Sequence, residues 1–265
     1  MRPRRIRLIA LSFLLLPLLV LGAYADTINM GTAGSYAVLA GSTVTNTGYS
    51  VINGNLGVSA GCAVTGFPPG IVHGQTNKCN AAAAHAQRDL TTAFNQGMGL
   101  SKTRDLTGQD LGGLNLTKGV YFFSSSAQLS GGVLYLTGKP GAVFVFQIGT
   151  TLTTLSNSSV IFINSLTKKP MNDPHIYWVV GTSATLGTGT KFAGNILALT
   201  SITLNTGASI TCGSALARNG AVTLDTNVIT KNCGGGTTVP EPGTISLMGS
   251  GLVILAGVAR RRMRI

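Results

Sequence analysis

The sequence predicts a mostly β fold: a solenoid of short stacked strands with one α-helix on its flank. Three observations predict it. A Thr-Leu-x-Thr pattern recurs in the C-terminal half, its leucines Leu186, Leu204 and Leu224 lying 18 and 20 residues apart. Short β-branched and aromatic runs fill the intervals between the copies. One alanine-rich stretch alone carries helical rather than alternating periodicity.

The ends of the 265-residue chain read as targeting segments. Residues 1–25 open with Arg2, Arg4, Arg5 and Arg7, continue as an apolar run from Leu8 to Leu21, and close on Ala23-Tyr24-Ala25. A basic start, a short apolar stretch and a small-x-small site make a cleavable secretion signal. At the other end, Gly234 to Thr238 reads as a Gly/Thr linker. Val239-Pro240-Glu241-Pro242 follows, then an apolar run from Ile245 to Ala259 and the cluster Arg260-Arg261-Arg262. That run is a marginal membrane anchor stopped by cations.

Between the ends lies one domain, residues 26–233. Tyr36 to Ala40, Thr43 to Thr47 and Val51 to Val58 read as strands separated by turns, and Gly66 to Gly70 as a loop. Residues 80–96 read as the helix. Ala81 to Ala84 are strong helix formers, and Asn77 or Asn80 can cap the start. Ala83, Ala86, Leu90, Ala93 and Phe94 share one side, and Gly97 and Gly99 are expected to end it. That apolar stripe must lie on the flank of something else.

From Gly119 the chain repeats. The clear copies begin at Thr182, Thr200 and Gly220, and a weaker one runs from Leu152 to Ser158. Apolar strands separate them: Val143 to Ile148, Val160 to Ile163, Ile176 to Val180 and Gly194 to Ala198. One period makes one coil, and each strand stacks on its equivalent in the next. Strand residues alternate in direction. With Leu186, Leu204 and Leu224 inward, Thr185, Thr203 and Thr223 face outward, as do Ser183, Ser201 and Ala221. A β-sandwich also shows closely spaced short strands, but the register of the copies favours the solenoid.

Composition narrows the function. The formal charge of +12 is concentrated in the two ends. Residues 26–238 carry 11 Lys/Arg against 6 Asp, scattered along the sequence and not interleaved with aromatics. A nucleic-acid partner is therefore not expected. Cys62, Cys79, Cys212 and Cys233 form an even set in an exported chain, which suggests disulfides. Three pairings are possible, and Cys62–Cys79 with Cys212–Cys233 is the simplest. The close Cys-x-x-Cys pairs of a zinc site are missing, so neither metal nor cofactor is expected.

The tail resembles a PEP-CTERM sorting signal, with Pro240, Glu241 and Pro242, one apolar segment and the arginine cluster in that order. The resemblance implies an exosortase-type processing protease beside signal peptidase, and a Gram-negative-like bacterium. It implies secretion or display on the cell surface or matrix, with only transient membrane contact through residues 239–265.

Residues from about Gly31 to Thr230 resemble the microbial ice-binding protein family. The matching stretches are Tyr36 to Gly48, Gly54 to Val58, the alanine-rich helix, Asp110 to Gly113, Gly119 to Tyr121 and the Thr-Leu-x-Thr copies. The resemblance implies a right-handed parallel β-helix of roughly triangular section, with its terminal strands adjacent and the helix along one side. It implies ice as the partner, bound by a flat Thr/Ser-rich face. The candidates for that face are Thr154, Thr182, Ser183, Thr185, Thr200, Ser201, Thr203 and Thr223. The alternative is a matrix adhesin that binds exopolysaccharide through exposed aromatics, of which Tyr121, Tyr135, Tyr177 and Trp178 are the candidates.

No enzyme is expected. His73, His85 and His175 are far apart, and no His-x-x-x-His motif occurs. Asp173 and His175 can pair, but spacing supplies no serine partner. Asp105, Asp110 and Asp173 fall in separate segments rather than as grouped carboxylates.

Overall fold

The computed structural model describes residues 27–173 and 175–233. The expected leader (1–25), linker (234–238) and tail (239–265) lie outside the described residues. What is described is a right-handed parallel β-helix of three faces, in which the stacked strands pair in parallel.

Each coil contributes one strand to each face. The middle coils show the plan. Phe144–Ile148 and Ile176–Val180 lie on the helix-side face. Leu152–Thr154, Ala184–Leu186 and Ile202–Leu204 lie on a seven-stranded second face. Val133–Gly138 and Ser159–Asn164 lie on the third. Two longer strands, Lys191–Ala198 and Ser209–Ala217, run through a corner from the third face to the helix-side face. Their register shifts there, between Ala193 and Asn195. Gly194 (φ 98) makes that bend, and a Cβ on Gly213 would meet the Gly194 carbonyl oxygen at 1.8 Å. The corner therefore requires glycine.

Chain order and spatial order differ. The first two coils, Tyr36 to Val72, do not begin the stack. They sit beyond the last coil: Tyr36–Ala40 pairs with Ser209–Ala217, Thr43–Thr47 with Val222–Asp225, and Val51–Asn53 with Val228–Thr230. A helix, α1 (Ala81–Gly99), carries the chain back to the far end, where the stack restarts at Arg104. Its 19 residues span about 28 Å at about 1.5 Å per residue. Strands stack about 4.8 Å apart, so α1 passes about six coils.

The predicted stripe on α1 is the buried one: Ala83, Ala86, Leu90, Ala93 and Phe94, with Gly97 added. Asn80 caps the start, its Oδ1 accepting from Ala83 N at 3.0 Å. The helix does not end before Gly97, as expected, but runs through it to Gly99. Tertiary contact explains why. A Cβ on Gly97 would lie 2.7 Å from Val179 Cγ2, so glycine lets the last turn lie against the sheet. Gln147 Nε2 then donates to the carbonyls of Gly97 (2.9 Å) and Leu100 (2.7 Å), supplying partners that a helix end lacks.

The interior is a column of stacked rings. Phe146 lies on Trp178 at a centroid distance of 3.9 Å, with Tyr121 and Phe192 on either side. Trp178 Nε1 donates to the Ala193 carbonyl at 3.0 Å, so its polar atom is satisfied. Cys62 pairs with Cys79 and Cys212 with Cys233. Each bridge closes a loop of about 20 residues, for which chain entropy predicts a stabilisation of about 3 kcal/mol. Both brace the end of the stack where the N-terminal coils dock.

Candidate functional site

The seven-stranded face is the one with a regular, uncharged surface. Its central residues stack in register as Thr153, Thr185, Thr203, Thr223, Thr45 and Thr65, with Gln128 at the far end. The neighbours on either side of each threonine in the chain point inward and are buried along most of the rank, as with Ile202 and Leu204 around Thr203. Alternation explains the pattern: β-branched residues suit a pleated, half-buried surface. The rank crosses the junction of the two chain ends without a break. Thr45 Oγ1 reaches Thr223 Oγ1 at 3.4 Å across that seam.

Two positions earlier on the same strands lies a second rank: Thr151, Ser183, Ser201, Ala221, Thr43 and Ala63. Its serines are partly engaged. Ser183 Oγ accepts from Ser201 N at 3.3 Å, and Ser201 Oγ from Ala221 N at 3.2 Å. Neither rank contains a titratable side chain. Asp225 lies at the edge beside Thr223, and its carboxylate accepts from the hydroxyls of Thr206 and Thr226.

Thr185, Thr203 and Thr223 therefore stand in the central rank, and Ser183 and Ser201 in the flanking one. The other three sequence candidates do not. Thr154 points inward at 2 % exposure. Its Oγ1 lies 2.9 Å from Thr190 Oγ1 and accepts from Gly187 N at 3.0 Å. The cause is register. Leu152, not Leu155, takes the inward position, so Thr153 stacks on Thr185 and Thr154 on Leu186. A slip of one residue exchanges the two faces of a strand. Thr182 and Thr200 lie on the corner before the face, in a backbone ladder from Thr182 N to Thr150 O and from Thr200 N to Thr182 O, each 2.8 Å. The Thr182 hydroxyl is buried there.

Thr43, Thr45, Thr65, Thr151 and Thr153 were missed. The alternation Thr43-Val44-Thr45 was a usable signal, but nothing local says that this strand stacks on Thr223.

Of the aromatic candidates, Tyr121, Tyr177 and Trp178 are buried and only Tyr135 is exposed. Asp173 and His175 do pair, Oδ1 to Nδ1 at 2.7 Å, in a groove of the third face whose lining holds no serine. Asp105 and Asp110 sit at the opposite end of the stack from the docked N-terminal coils.

Comparison with known proteins agrees with this geometry. The ice-binding-like family matches residues 38–230, and the PEP-CTERM protein-sorting motif matches residues 238–264. An ice-binding protein of Nostoc sp. (strain HG1) is 54% identical over 250 residues, covering 91% of this chain and 90% of the relative. Among solved structures, an ice-binding protein from an Antarctic biological consortium matches with TM-score 0.73 and 41% identity, over 79% of this chain and 93% of its own. One from the Antarctic ascomycete Antarctomyces psychrotrophicus matches with TM-score 0.71 and 38% identity, over 78% and 99%. These relatives are described as ice-binding proteins, not as enzymes. Fold, face and comparisons together place the chain in the ice-binding-like family, with a PEP-CTERM protein-sorting motif at its C-terminal end.

Proposed function

We propose that this chain binds ice through the face built on Thr153, Thr185, Thr203, Thr223, Thr45 and Thr65. The observation that carries the reading is the unbroken threonine rank over six coils. Strand stacking sets one repeat at about 4.8 Å, and the two-residue step to the flanking rank sets the other at about 6.7 Å. Each threonine offers a methyl and a hydroxyl at a fixed place. A rigid grid of such groups orders a water layer that joins the ice lattice. Single contacts are weak, so the number and regularity of the groups matter more than any one of them. Thr154, Thr182 and Thr200 are left out of the face.

We further propose the division of the chain into a leader (1–25), the β-helix domain (26–233), a linker (234–238) and a sorting tail (239–265). The protein is exported, processed by signal peptidase and an exosortase-type protease, and released or displayed outside a Gram-negative-like cell. Its proposed role is binding, in keeping with relatives described as ice-binding proteins.

The test is thermal hysteresis and ice recrystallisation inhibition on the purified full chain. Hysteresis with faceted crystals supports the reading. A folded protein that leaves ice growth unchanged contradicts it. The aromatic-groove adhesin has no comparable support, because three of its four aromatic candidates are buried.

A further inference from the structure

The third face is interrupted, and the interruption is basic. Most coils repeat at 18 or 20 residues, but Leu152 and Ala184 stack on each other 32 positions apart. The extra chain is a hairpin after Ser159–Asn164. Ile163 bridges Pro170, Lys168 N donates to Asn164 O at 2.8 Å, and Asn164 N donates to Lys169 O at 3.0 Å. The hairpin takes the edge that the next coil would otherwise pair with. Ser159–Asn164 keeps one register pair with that coil, Ser159 to Lys191, and then the strands part. A groove of about 1150 Å³ opens between them. Insertions in solenoid repeats collect on one face, often a binding face.

Charge is strongly uneven there. Lys191 and Lys231 line the groove, and Lys139, Lys168 and Lys169 are exposed on its hairpin side. These are five of the eleven Lys/Arg between residues 27 and 233. The acids of the same span lie elsewhere, except Asp173. That carboxylate is 4 % exposed and already accepts from Gly141 N, His175 N and His175 Nδ1 at 2.7 to 2.9 Å. Lys231 has one acceptor, Asn195 Oδ1 at 3.3 Å, and burial lowers its pKa below the ordinary lysine value. A nearby anion would favour its charged form. Asn172, Thr211 and Asn232 add neutral hydrogen-bonding groups along the walls.

We propose that this groove binds a linear carboxylate-bearing polysaccharide, independently of the threonine face. Lysine point charges meet spaced carboxylates, and the amide and hydroxyl side chains meet sugar hydroxyls. Lysine point charges can meet phosphate as well as carboxylate, and the phosphate and DNA arms of the titration separate them. The site stands on a different face of the β-helix from the threonine ranks, so polymer and ice can be held together. The proposal does not rest on ice binding and survives its failure.

The experiment is calorimetric titration of the full chain with oligogalacturonate, neutral dextran oligomers, inorganic phosphate and duplex DNA. The basic leader and tail are controlled by comparison with variants in the same full chain. The exposed quadruple variant K139Q/K168Q/K169Q/K191Q avoids the buried lysine and should fold as the parent does. We expect oligogalacturonate to bind, to weaken with added salt, and to lose about tenfold or more in the variant, about 1.4 kcal/mol. Dextran and phosphate should bind at least tenfold more weakly, and thermal hysteresis should not change in the variant. Equal binding by parent and variant, no binding of oligogalacturonate, or tighter binding of DNA or phosphate would each overturn the proposal. In Lys231→Gln, retained fold with unchanged affinity would also count against it.

Discussion

The threonine face and the helix-side face are cut from the same coils, yet one is bare and the other is covered. Both are parallel strands with the same spacing and a shared interior. They differ in the residues that face outward. Facing outward on one are Thr153, Thr185, Thr203, Thr223 and Thr45. On the other are Val145, Tyr177, Val179, Leu197, Leu216 and Leu39, buried with Leu90 and Phe94 of α1. Residue type along the outward ranks decides whether a face recruits a helix or stays open to water. The open face then owes its regularity to the covered one. With α1 fastened along about six coils, the stack has little freedom to twist or slip.

Breaking the covered face should have the largest effect on stability. Leu90→Ala removes a fully buried side chain and should cost about 2–5 kcal/mol in denaturant unfolding. Hysteresis per mole of folded protein should stay near the parent's. Loss of activity in a still-folded variant would mean that the two faces are more tightly coupled than described.

A neighbouring pair of threonines sharpens the contrast within one strand. Thr154→Val removes the hydroxyl shared by Gly187 N and Thr190 Oγ1, which keep only the carbonyls of Thr154 and Leu155, and should cost about 0.5–1.5 kcal/mol. Thr153→Val faces water and should change stability by less than about 0.5 kcal/mol. If the first is silent and the second destabilising, the register of this strand is wrong.

Acid should separate the faces by the smallest effect. The Thr32 hydroxyl and N–H lower the Asp89 pKa. The Thr107 hydroxyl and N–H, then Lys102, lower Asp105 to about 2. Groups whose pKa is depressed on folding stabilise above their unfolded value, near 4, and lose that contribution as pH falls through the folded value. Melting temperature should therefore drop only below about pH 4. The threonine ranks have no titratable group, so hysteresis should be flat between about pH 5 and 9. A sigmoidal change inside that range would assign a charged residue to the ice contact.

The helix stripe, the inward leucines and three threonines of the central rank were legible because they repeat locally. Ala83 to Phe94 needs only a period of 3.6, and Thr185, Thr203 and Thr223 recur at nearly fixed spacing. Thr153 was misread as Thr154 because the hairpin insertion lengthens the coil that follows, leaving no copy at the regular spacing to set its register. Thr45 and Thr65 join the rank through a seam between residues about 180 positions apart, which no local pattern encodes. The lysine groove was illegible for the same reason: its charges come from four separated segments and look scattered along the chain.

The most direct test uses the seam. Thr203→Tyr places a ring in the middle of the rank, and Thr45→Tyr places one across the junction of the two chain ends. Thermal hysteresis is measured for each, beside the melting temperature. If the six threonines form one ice-binding surface, each substitution alone removes most of the hysteresis and leaves the melting temperature nearly unchanged. Full hysteresis in a folded Thr45→Tyr variant would end the rank at Thr223, and full hysteresis in both would move the ice contact to another face.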